Sequence, residues 1–271
     1  MRSLLGGALT RSSRILLLLA GLAFCQAGPL WASSYKVTPV RLVLSRSNSR
    51  TLLTLKNESQ ETLRFQVTVS AWDETPQEEM ALQPTRDIVL FPSVLSVAAH
   101  EERTLRIASV TPFDAFEKTY RILFEELPPL EVSDAAARSQ IRILTRMSIP
   151  VFLEPSRVVE ESRVEAALDR DTLSLHLKNA GNVHTLVREV RVRGLGEAGE
   201  TVLSRSLKGW YVLAGSSHTY KVEIPRGDCP KVKRIALEID TDSRPIVELL
   251  DLKPDACFLG GESALQAVLA R

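Results

Sequence analysis

Short runs in which apolar and polar residues alternate recur along most of the chain. The clearest run covers residues 63–70, and similar runs lie at residues 105–107, 173–177 and 190–192. Alternation with a period of two indicates a strand with one buried face, and these runs are short, rich in β-branched residues and separated by Asn, Gly, Ser and Pro. The pattern therefore favours an all-β antiparallel sandwich over an α/β fold. The tail at residues 262–269 is the one segment that suits an amphipathic helix.

The strand pattern falls into two halves. The sequence Leu153-Glu154-Pro155-Ser156 interrupts it, and a fresh series of short strands follows. Proline removes a ladder donor and stiffens the chain, so we predict domains at residues 33–154 and 155–271 that keep a fixed angle. Leu55-Lys56-Asn57 in the first half is matched by Leu177-Lys178-Asn179 in the second, either because the halves are duplicates or because sandwiches reuse turn chemistry.

Residues 1–32 have the composition of a secretory signal peptide. Three arginines precede a short apolar run, and small residues follow around Ala27 and Ala32. The apolar run is too short to span a bilayer, so we expect cleavage after Ala32, or alternatively after Ala27. A lipoprotein processing site at Cys25 is disfavoured by the bulky Phe24 before it. Because no later segment is long and apolar enough for a membrane helix, we expect a soluble, exported protein.

Charge gives no sign of a polyanionic partner. The chain has 34 Lys and Arg against 33 Asp and Glu, and loss of the signal peptide with its three arginines leaves 31 against 33. A balance this close to neutral argues against binding to nucleic acid.

Two cysteines remain once Cys25 is removed with the signal peptide. Cys229 and Cys257 both lie in the second half of the chain. In an oxidising compartment an even pair is most simply a disulfide, here closing a loop of about 28 residues and stabilising the fold by about 3 kcal/mol. A metal or redox pair is the alternative, but CxxC spacing and nearby histidines are both missing.

One strand, at residues 141–152, combines apolar and basic positions just before the domain junction. Apolar side chains lie on one face of the strand and polar, mostly basic, side chains on the other. The apolar residues are Ile141, Ile143, Met147 and Ile149, and the polar ones are Arg142, Arg146 and Ser148. An ordinary half-buried edge strand has this pattern, and so does a strand that a protein lends to the sheet of a partner. The stretch makes binding the function to test.

The sequence contains no recognisable catalytic constellation. His100-Glu101-Glu102 lacks the second histidine of a zincin helix, and no GxSxG or phosphate-binding loop occurs. Glu125-Glu126 and Glu160-Glu161 are neighbours in sequence, so on strands their carboxylates point to opposite faces and cannot act as a pair. The four histidines are scattered without ligand spacing, and we expect them in surface or turn positions. We therefore predict a protein that is not an enzyme and needs no cofactor, metal or small-molecule substrate.

Taken in order, the motifs of the chain resemble those of the periplasmic pilus-assembly chaperones, the PapD-like family. That resemblance implies two immunoglobulin-like β-sandwich domains set at an angle. The Tyr-Arg and Ile-Pro-Val-Phe motifs look more like those of its archaic, spore-coat-type branch. The matching segments are Val37-Thr38-Pro39-Val40-Arg41, Leu55-Lys56-Asn57, Ala71-Trp72, Tyr120-Arg121-Ile122, Glu125-Glu126-Leu127-Pro128, Ile149-Pro150-Val151-Phe152 and Asn179-Ala180-Gly181-Asn182.

The resemblance also implies a mechanism. Chaperones of this kind bind pilin subunits that lack their last strand, complete the subunit's sheet with their own edge strand, and pass the subunit to an outer-membrane usher. On this sequence the donor strand would be residues 141–149. The side chains that fill the subunit's groove would be Ile141, Ile143, Met147 and Ile149.

In such chaperones a pair of cations holds the subunit's C-terminal carboxylate. Arg41 matches the base on the first strand by its position. Pro150 stands near the place of the family's usual lysine, so the second cation would be Arg121 or Arg146. Arginine suits this role because its planar guanidinium binds a carboxylate through two parallel hydrogen bonds.

Two other kinds of protein share this composition. A secreted adhesin or structural protein of tandem immunoglobulin-like domains would have the same fold without a basic cleft. A carbohydrate-binding module would need exposed aromatic residues, yet of three tryptophans Trp31 lies in the signal peptide and Trp72 is expected in the core.

Overall fold

A computed structural model describes residues 34–75, 77–130, 143–252 and 267–270. The predicted signal peptide lies outside these residues. Within them, regular structure is almost entirely strand, with one 3-10 turn at Cys229–Lys231. The strands build two immunoglobulin-like β-sandwich domains, so the predicted all-β fold is confirmed.

The first domain contains ten strands. Their bounds are β1 (Tyr35–Thr38), β2 (Leu42–Leu44), β3 (Arg50–Asn57), β4 (Leu63–Glu74), β5 (Met80–Pro84), β6 (Ile88–Phe91), β7 (Val94–Val97), β8 (Glu102–Ser109), β9 (Lys118–Leu127) and β10 (Arg146–Leu153). One sheet has the order β1-β3-β8-β6 and the other the order β2-β10-β9-β4-β5, with β7 also pairing with β4. Alternate residues of both sheets, such as Leu53, Phe65, Leu105 and Ile122, are fully buried between them.

Nine further strands lie in the second domain. They are β11 (Ser162–Asp169), β12 (Thr172–Asn179), β13 (Thr185–Leu195), β14 (Thr201–Lys208), β15 (Tyr211–Val212), β16 (Ser217–Glu223), β17 (Arg234–Thr241), β18 (Ile246–Asp251) and β19 (Ala267–Ala270). The sheets have the orders β16-β12-β11-β19 and β14-β13-β17-β18, and β15 pairs with β13. The two domain cores share no residue, since the first ends at Leu153 and the second begins at Val164.

The helix expected in the tail is not present over its last described residues. Residues 267–270 form strand β19, which pairs with β11 through Arg163 opposite Ala270. The edge of β11 offers unpaired main-chain groups along its whole length, and pairing with them outweighs the weak helical preference of so short a segment. The earlier part of the expected helix, residues 262–266, lies outside the described residues.

The repeated Leu-Lys-Asn motif has the same structural role in both domains. Asn57 ends β3, is fully buried, and donates from Nδ2 to the carbonyls of Glu61 at 2.7 Å and Val97 at 3.0 Å. Asn179 ends β12 and donates in the same way to Val183 at 2.7 Å and Val212 at 3.0 Å. Each asparagine satisfies carbonyls of the turn that follows its strand, which explains why the sequence repeats.

The domains touch through polar contacts on both sides of their interface. Glu78, in the turn between β4 and β5, accepts hydrogen bonds from the backbone N–H of Thr219 at 3.0 Å and from its hydroxyl at 2.9 Å. Glu117 accepts from the backbone N–H and Nδ1 of His184, both at 2.8 Å. His184 lies in the turn before β13, as expected, but its side chain is largely buried between the domains and not on the surface.

We predict that Asn57→Ala and Asn179→Ala each lower the free energy of unfolding by about 2 to 4 kcal/mol. Either change leaves buried carbonyls without their donor. Urea unfolding of the two variants measures the loss. The exposed Asn48→Ala serves as the matched control and should stay within about 0.5 kcal/mol of the original. A loss below about 1 kcal/mol at Asn57 and Asn179 would contradict the role assigned to them.

Candidate functional site

Strand β10 is paired on both sides over only part of its length. Along the whole strand it pairs with β9, from Arg146 opposite Glu125 to Leu153 opposite Lys118. On its other side it pairs in parallel with β2 through its last three residues alone, Val151 to Leu153. Over the described residues, no strand pairs with the other edge of residues 146–150. The first half of β10 is therefore an open sheet edge.

The apolar row of this strand passes from the domain's own core into solvent. Ile149 is 2% exposed and belongs to the first core, and Met147 is half-buried against the same core. Thr145 donates its hydroxyl to Glu126 at 2.8 Å, and Ile143 is 63% exposed. Ile143 lies three residues before β10 begins, and if pairing with a partner extended the strand through residues 143–145, Ile143 would share a face with Met147 and Ile149.

These positions correct part of the expected set of groove-filling residues. Ile149 already fills the first domain's own core, so its side chain is not available to a partner's groove. Ile143 has the exposure that a groove-filling residue needs, and Met147 is intermediate. Ile141 lies outside the described residues.

The three arginines expected to bind a carboxylate occupy different places. Arg121 lies directly opposite Pro150, the position where the family's lysine was expected. Arg146 lies opposite Glu125, four residues along the strand and so about 13 Å away. Its Nε is 3.2 Å from Glu125 Oε1 in an exposed cross-strand ion pair. The structure thus separates Arg146 from Arg121.

Arg121 is a buried cation enclosed by aromatic rings from both domains. It is 3% exposed, and its guanidinium carbon lies 3.7 Å from the centre of the Trp72 ring. Trp210 and Tyr211 of the second domain lie 5.5 and 5.6 Å away. Such contacts stabilise a cation through the negative faces of the rings. Burial still dominates and lowers the pKa of Arg121 to about 10.

Two nitrogens of this guanidinium are left without a hydrogen-bond partner. Among the described residues nothing accepts from the buried Nε and Nη2 of Arg121. These two N–H groups point the same way along one edge of the planar group, which is the geometry that binds both oxygens of a carboxylate. Buried donors without acceptors are uncommon in folded proteins, so this edge is the chemical feature of the interface that most needs a ligand.

Arg41 faces the same interface from the other side. It directly precedes β2, and its Nη1 donates to Asp242 Oδ2 of the second domain at 3.0 Å. Asp242 also accepts the backbone N–H of Leu186, which pairs with Tyr211 across β13 and β15, and Tyr211 is one of the rings over Arg121. Arg41 and Arg121 therefore both contact the same part of the second domain. Burial raises the pKa of the Tyr211 hydroxyl, and the positive charges of Arg41 and Arg121 oppose that shift.

Sequence reasoning missed the aromatic residues that surround these cations. Trp72 is buried as expected, but it packs with Phe152 and Leu213 between the domains and not inside a sandwich. Phe152 stacks on His184, with ring centres 3.6 Å apart. Trp210 and Tyr211 form their own edge-to-face pair at 5.7 Å. An adjacent Trp-Tyr pair at a strand start was the available signal, yet nothing local linked it to Arg121.

Neither a cluster of metal-ligating side chains nor a membrane-spanning helix occurs in the described part of the chain. Its His, Cys, Asp and Glu side chains nowhere form a group of three or more that could hold a metal ion. It also has no helix that is both long and apolar enough to cross a membrane.

We predict that Arg121→Met changes the free energy of unfolding by less than about 1 kcal/mol, or raises it. The folded state holds the guanidinium at a lowered pKa, so the charge is disfavoured on folding at neutral pH, and a neutral side chain of similar length removes that cost. Urea unfolding measures the effect. Trp72→Ala is the contrasting variant and should lose about 3 to 5 kcal/mol. A loss above about 3 kcal/mol for Arg121→Met would show that Arg121 has a structural role.

Comparison with known proteins agrees with this geometry. Residues 34–159 match the model of the family described as pili and flagellar-assembly chaperone, PapD N-terminal domain. No sequence among the curated proteins matches the chain.

Solved structures extend the likeness to both domains. A chain of the CsuC–CsuE chaperone–tip adhesion subunit pre-assembly complex, from archaic Csu pili of Acinetobacter baumannii, is 17% identical with a TM-score of 0.53, covering 80% of this chain and 97% of that one. The YadV chaperone is 14% identical with a TM-score of 0.54, covering 80% and 99%. A chain of the Salmonella enterica complex of SafA pilin with the SafB chaperone is 15% identical with a TM-score of 0.51, covering 82% and 99%. At these identities the structures show a shared fold. The chain thus shares the two-domain fold of these chaperones, and its first domain matches the PapD N-terminal domain family.

Proposed function

We propose that this protein is a periplasmic chaperone that binds pilin subunits by donor-strand complementation and delivers them to an outer-membrane usher. The observation that carries the proposal is the open edge along the first half of β10, with the exposed Ile143 three residues before the strand begins. An unpaired edge with an exposed apolar side chain invites pairing with another chain, and a protein keeps such an edge when pairing is its function.

Donor-strand complementation follows from the geometry of this edge. A subunit that lacks its last strand has unpaired main-chain groups beside an apolar groove. The open edge of residues 146–150 supplies main-chain donors and acceptors, except at Pro150, while Ile143 and Met147 supply apolar side chains on one face. Main-chain bonding suits many subunits, whereas the alternate side chains select those with a matching groove.

Arg41 and Arg121 form the proposed anchor for the subunit's terminal carboxylate. They lie at the same interface, and Arg121 presents Nε and Nη2 without acceptors among the described residues. Arg121 lies on β9 directly opposite Pro150 of β10. The cation is therefore in the same cross-strand register position as a lysine at position 150 would be. Arg146 is left out of the anchor, because it pairs with Glu125 at the far end of the strand.

Export, the usher and the branch of the family belong to the same proposal. A cleaved signal peptide at residues 1–32 would place the protein in the periplasm, where chaperone and usher meet. The Tyr120-Arg121 and Pro150 pattern supports the archaic, spore-coat-type branch. A tandem-domain adhesin remains the other candidate from sequence, and no observation in the structure favours it. We propose binding and delivery without catalysis.

The test of the donor strand compares two isoleucines of the same row. We expect Ile143→Thr to leave the free energy of unfolding nearly unchanged, because the side chain is exposed, and to remove about 1.5 to 3 kcal/mol from subunit binding. Ile149→Thr is the matched control and should cost about 2 to 4 kcal/mol of folding stability, because it puts a hydroxyl into the core. Urea unfolding of the free proteins gives the first quantity.

Periplasmic recovery of complexes gives the second. The variants are co-expressed with small secreted subunits encoded in the same genome, and the amount of one-to-one complex is compared. Stable Ile143→Thr protein with degraded subunit supports donation by this strand. Undiminished complex with Ile143→Thr would reject it.

The disulfide stays a prediction. Cys229 is buried in the second core, and Cys257 lies outside the described residues. We propose that the two are bonded in the exported protein, where they are the only cysteines after signal cleavage. Peptide mapping without reduction should recover a linked pair, and reduction should lower the unfolding free energy by about 3 kcal/mol. Recovery of two free thiols from periplasmic material would overturn this pairing.

A further inference from the structure

Asp242 of the second domain places a carboxylate against Arg41, one of the two cations of the proposed anchor. Its Oδ2 is 3.0 Å from Arg41 Nη1. Its Oδ1 accepts the backbone N–H of Leu186 at 3.0 Å, so the carboxylate is held by its own domain whether or not Arg41 is present. The second domain therefore supplies an acidic group of the same chemistry as the ligand proposed for Arg41.

The contact between Arg41 and Asp242 has the features of an exchangeable pair. The side chains keep 40% and 21% of their exposure, and one guanidinium nitrogen makes the contact. A partly exposed ion pair of this kind is weak. A free carboxylate could engage the guanidinium through two parallel hydrogen bonds, which is the stronger arrangement.

The second domain covers the other anchor residue as well. Trp210 and Tyr211 lie over the guanidinium of Arg121, whose Nε and Nη2 are buried without acceptors. One domain thus holds both cations of the proposed anchor in the free protein, one by an acid and one by aromatic rings.

We infer that Asp242 is a built-in competitor, an autoinhibitory carboxylate that occupies Arg41 until the C-terminal carboxylate of a subunit displaces it. This inference rests on the proposed function, since it needs Arg41 to bind a carboxylate. It adds that subunit binding exchanges an interdomain contact for an intermolecular one. Binding at the anchor is thereby coupled to the contact between the domains.

The test uses Asp242→Asn in the mature full chain. Asparagine keeps an oxygen that can accept the N–H of Leu186 but removes the negative charge from Arg41. The probes are a synthetic peptide of alternating valine and threonine with a free C-terminal carboxylate, and the same peptide with a C-terminal amide, titrated by calorimetry at fixed salt. We expect Asp242→Asn to bind the carboxylate peptide about two- to fivefold more tightly, with no change for the amide.

A matched control comes from the same end of β17. Asp240 makes a partly exposed ion pair with Arg188 at 3.3 Å, so Asp240→Asn removes the same charge away from the anchor and should leave both affinities unchanged. Arg41→Ala should weaken binding of the carboxylate peptide.

The outcomes distinguish failure of the competition by Asp242 from failure of the anchor at Arg41. If Arg41→Ala weakens binding while Asp242→Asn leaves it unchanged or weaker, Asp242 orients Arg41 and does not compete for it, which overturns the inference and leaves the anchor. If the original chain binds carboxylate and amide alike and Arg41→Ala has no effect, the anchor fails and the inference fails with it. Equal tightening by Asp240→Asn would show a general charge effect and would also overturn the inference.

Discussion

The proposed binding site depends on strand β10. The second half of this strand is buried in the core of the first domain, and its first half forms an open sheet edge. Residues 149–153 of β10 are buried without interruption, so they fix the position and direction of the strand in the first sandwich. Because side chains alternate with a strict period of two, fixing Ile149 inward also fixes the face of Met147. The open edge of residues 146–150 is therefore held extended before any partner arrives, and a partner that pairs with it has less chain entropy to remove.

The opposite face of the same strand ties binding to the contact between the domains. Phe152 points away from the first core and stacks on His184 of the second domain, close to the aromatic rings that enclose Arg121. A subunit that pairs with β10 would lie along the open edge of the strand and reach the cations at the other end of the sheet. The packing of side chains in the subunit's groove and the binding of its carboxylate would then both depend on the position of this one strand.

Sequence reasoning succeeded where the evidence was local and failed where it depended on register or on the other domain. The period of two predicted the strands, and the repeated Asn57 and Asn179 marked equivalent turns. It could not predict that β2 pairs with only the last three residues of β10, and this pairing decides that Ile149 is core and Ile143 is free. The choice between Arg121 and Arg146 needed the register with β9. Sequence reasoning could not predict the contacts of Trp210, because they join residues that are far apart in sequence.

In the proposed anchor, an arginine on β9 takes the place of the lysine expected near position 150, and the burial of the site gives a physical reason for this. Burial lowers the pKa of the Arg121 side chain to about 10, which still leaves it charged at neutral pH. A lysine has a lower ordinary pKa, near 10.4, and burial would lower it further, so its charged form would be harder to keep at this position. A point charge would also offer no edge of two parallel donors. A cation at position 121 therefore suits carboxylate binding better as an arginine than as a lysine.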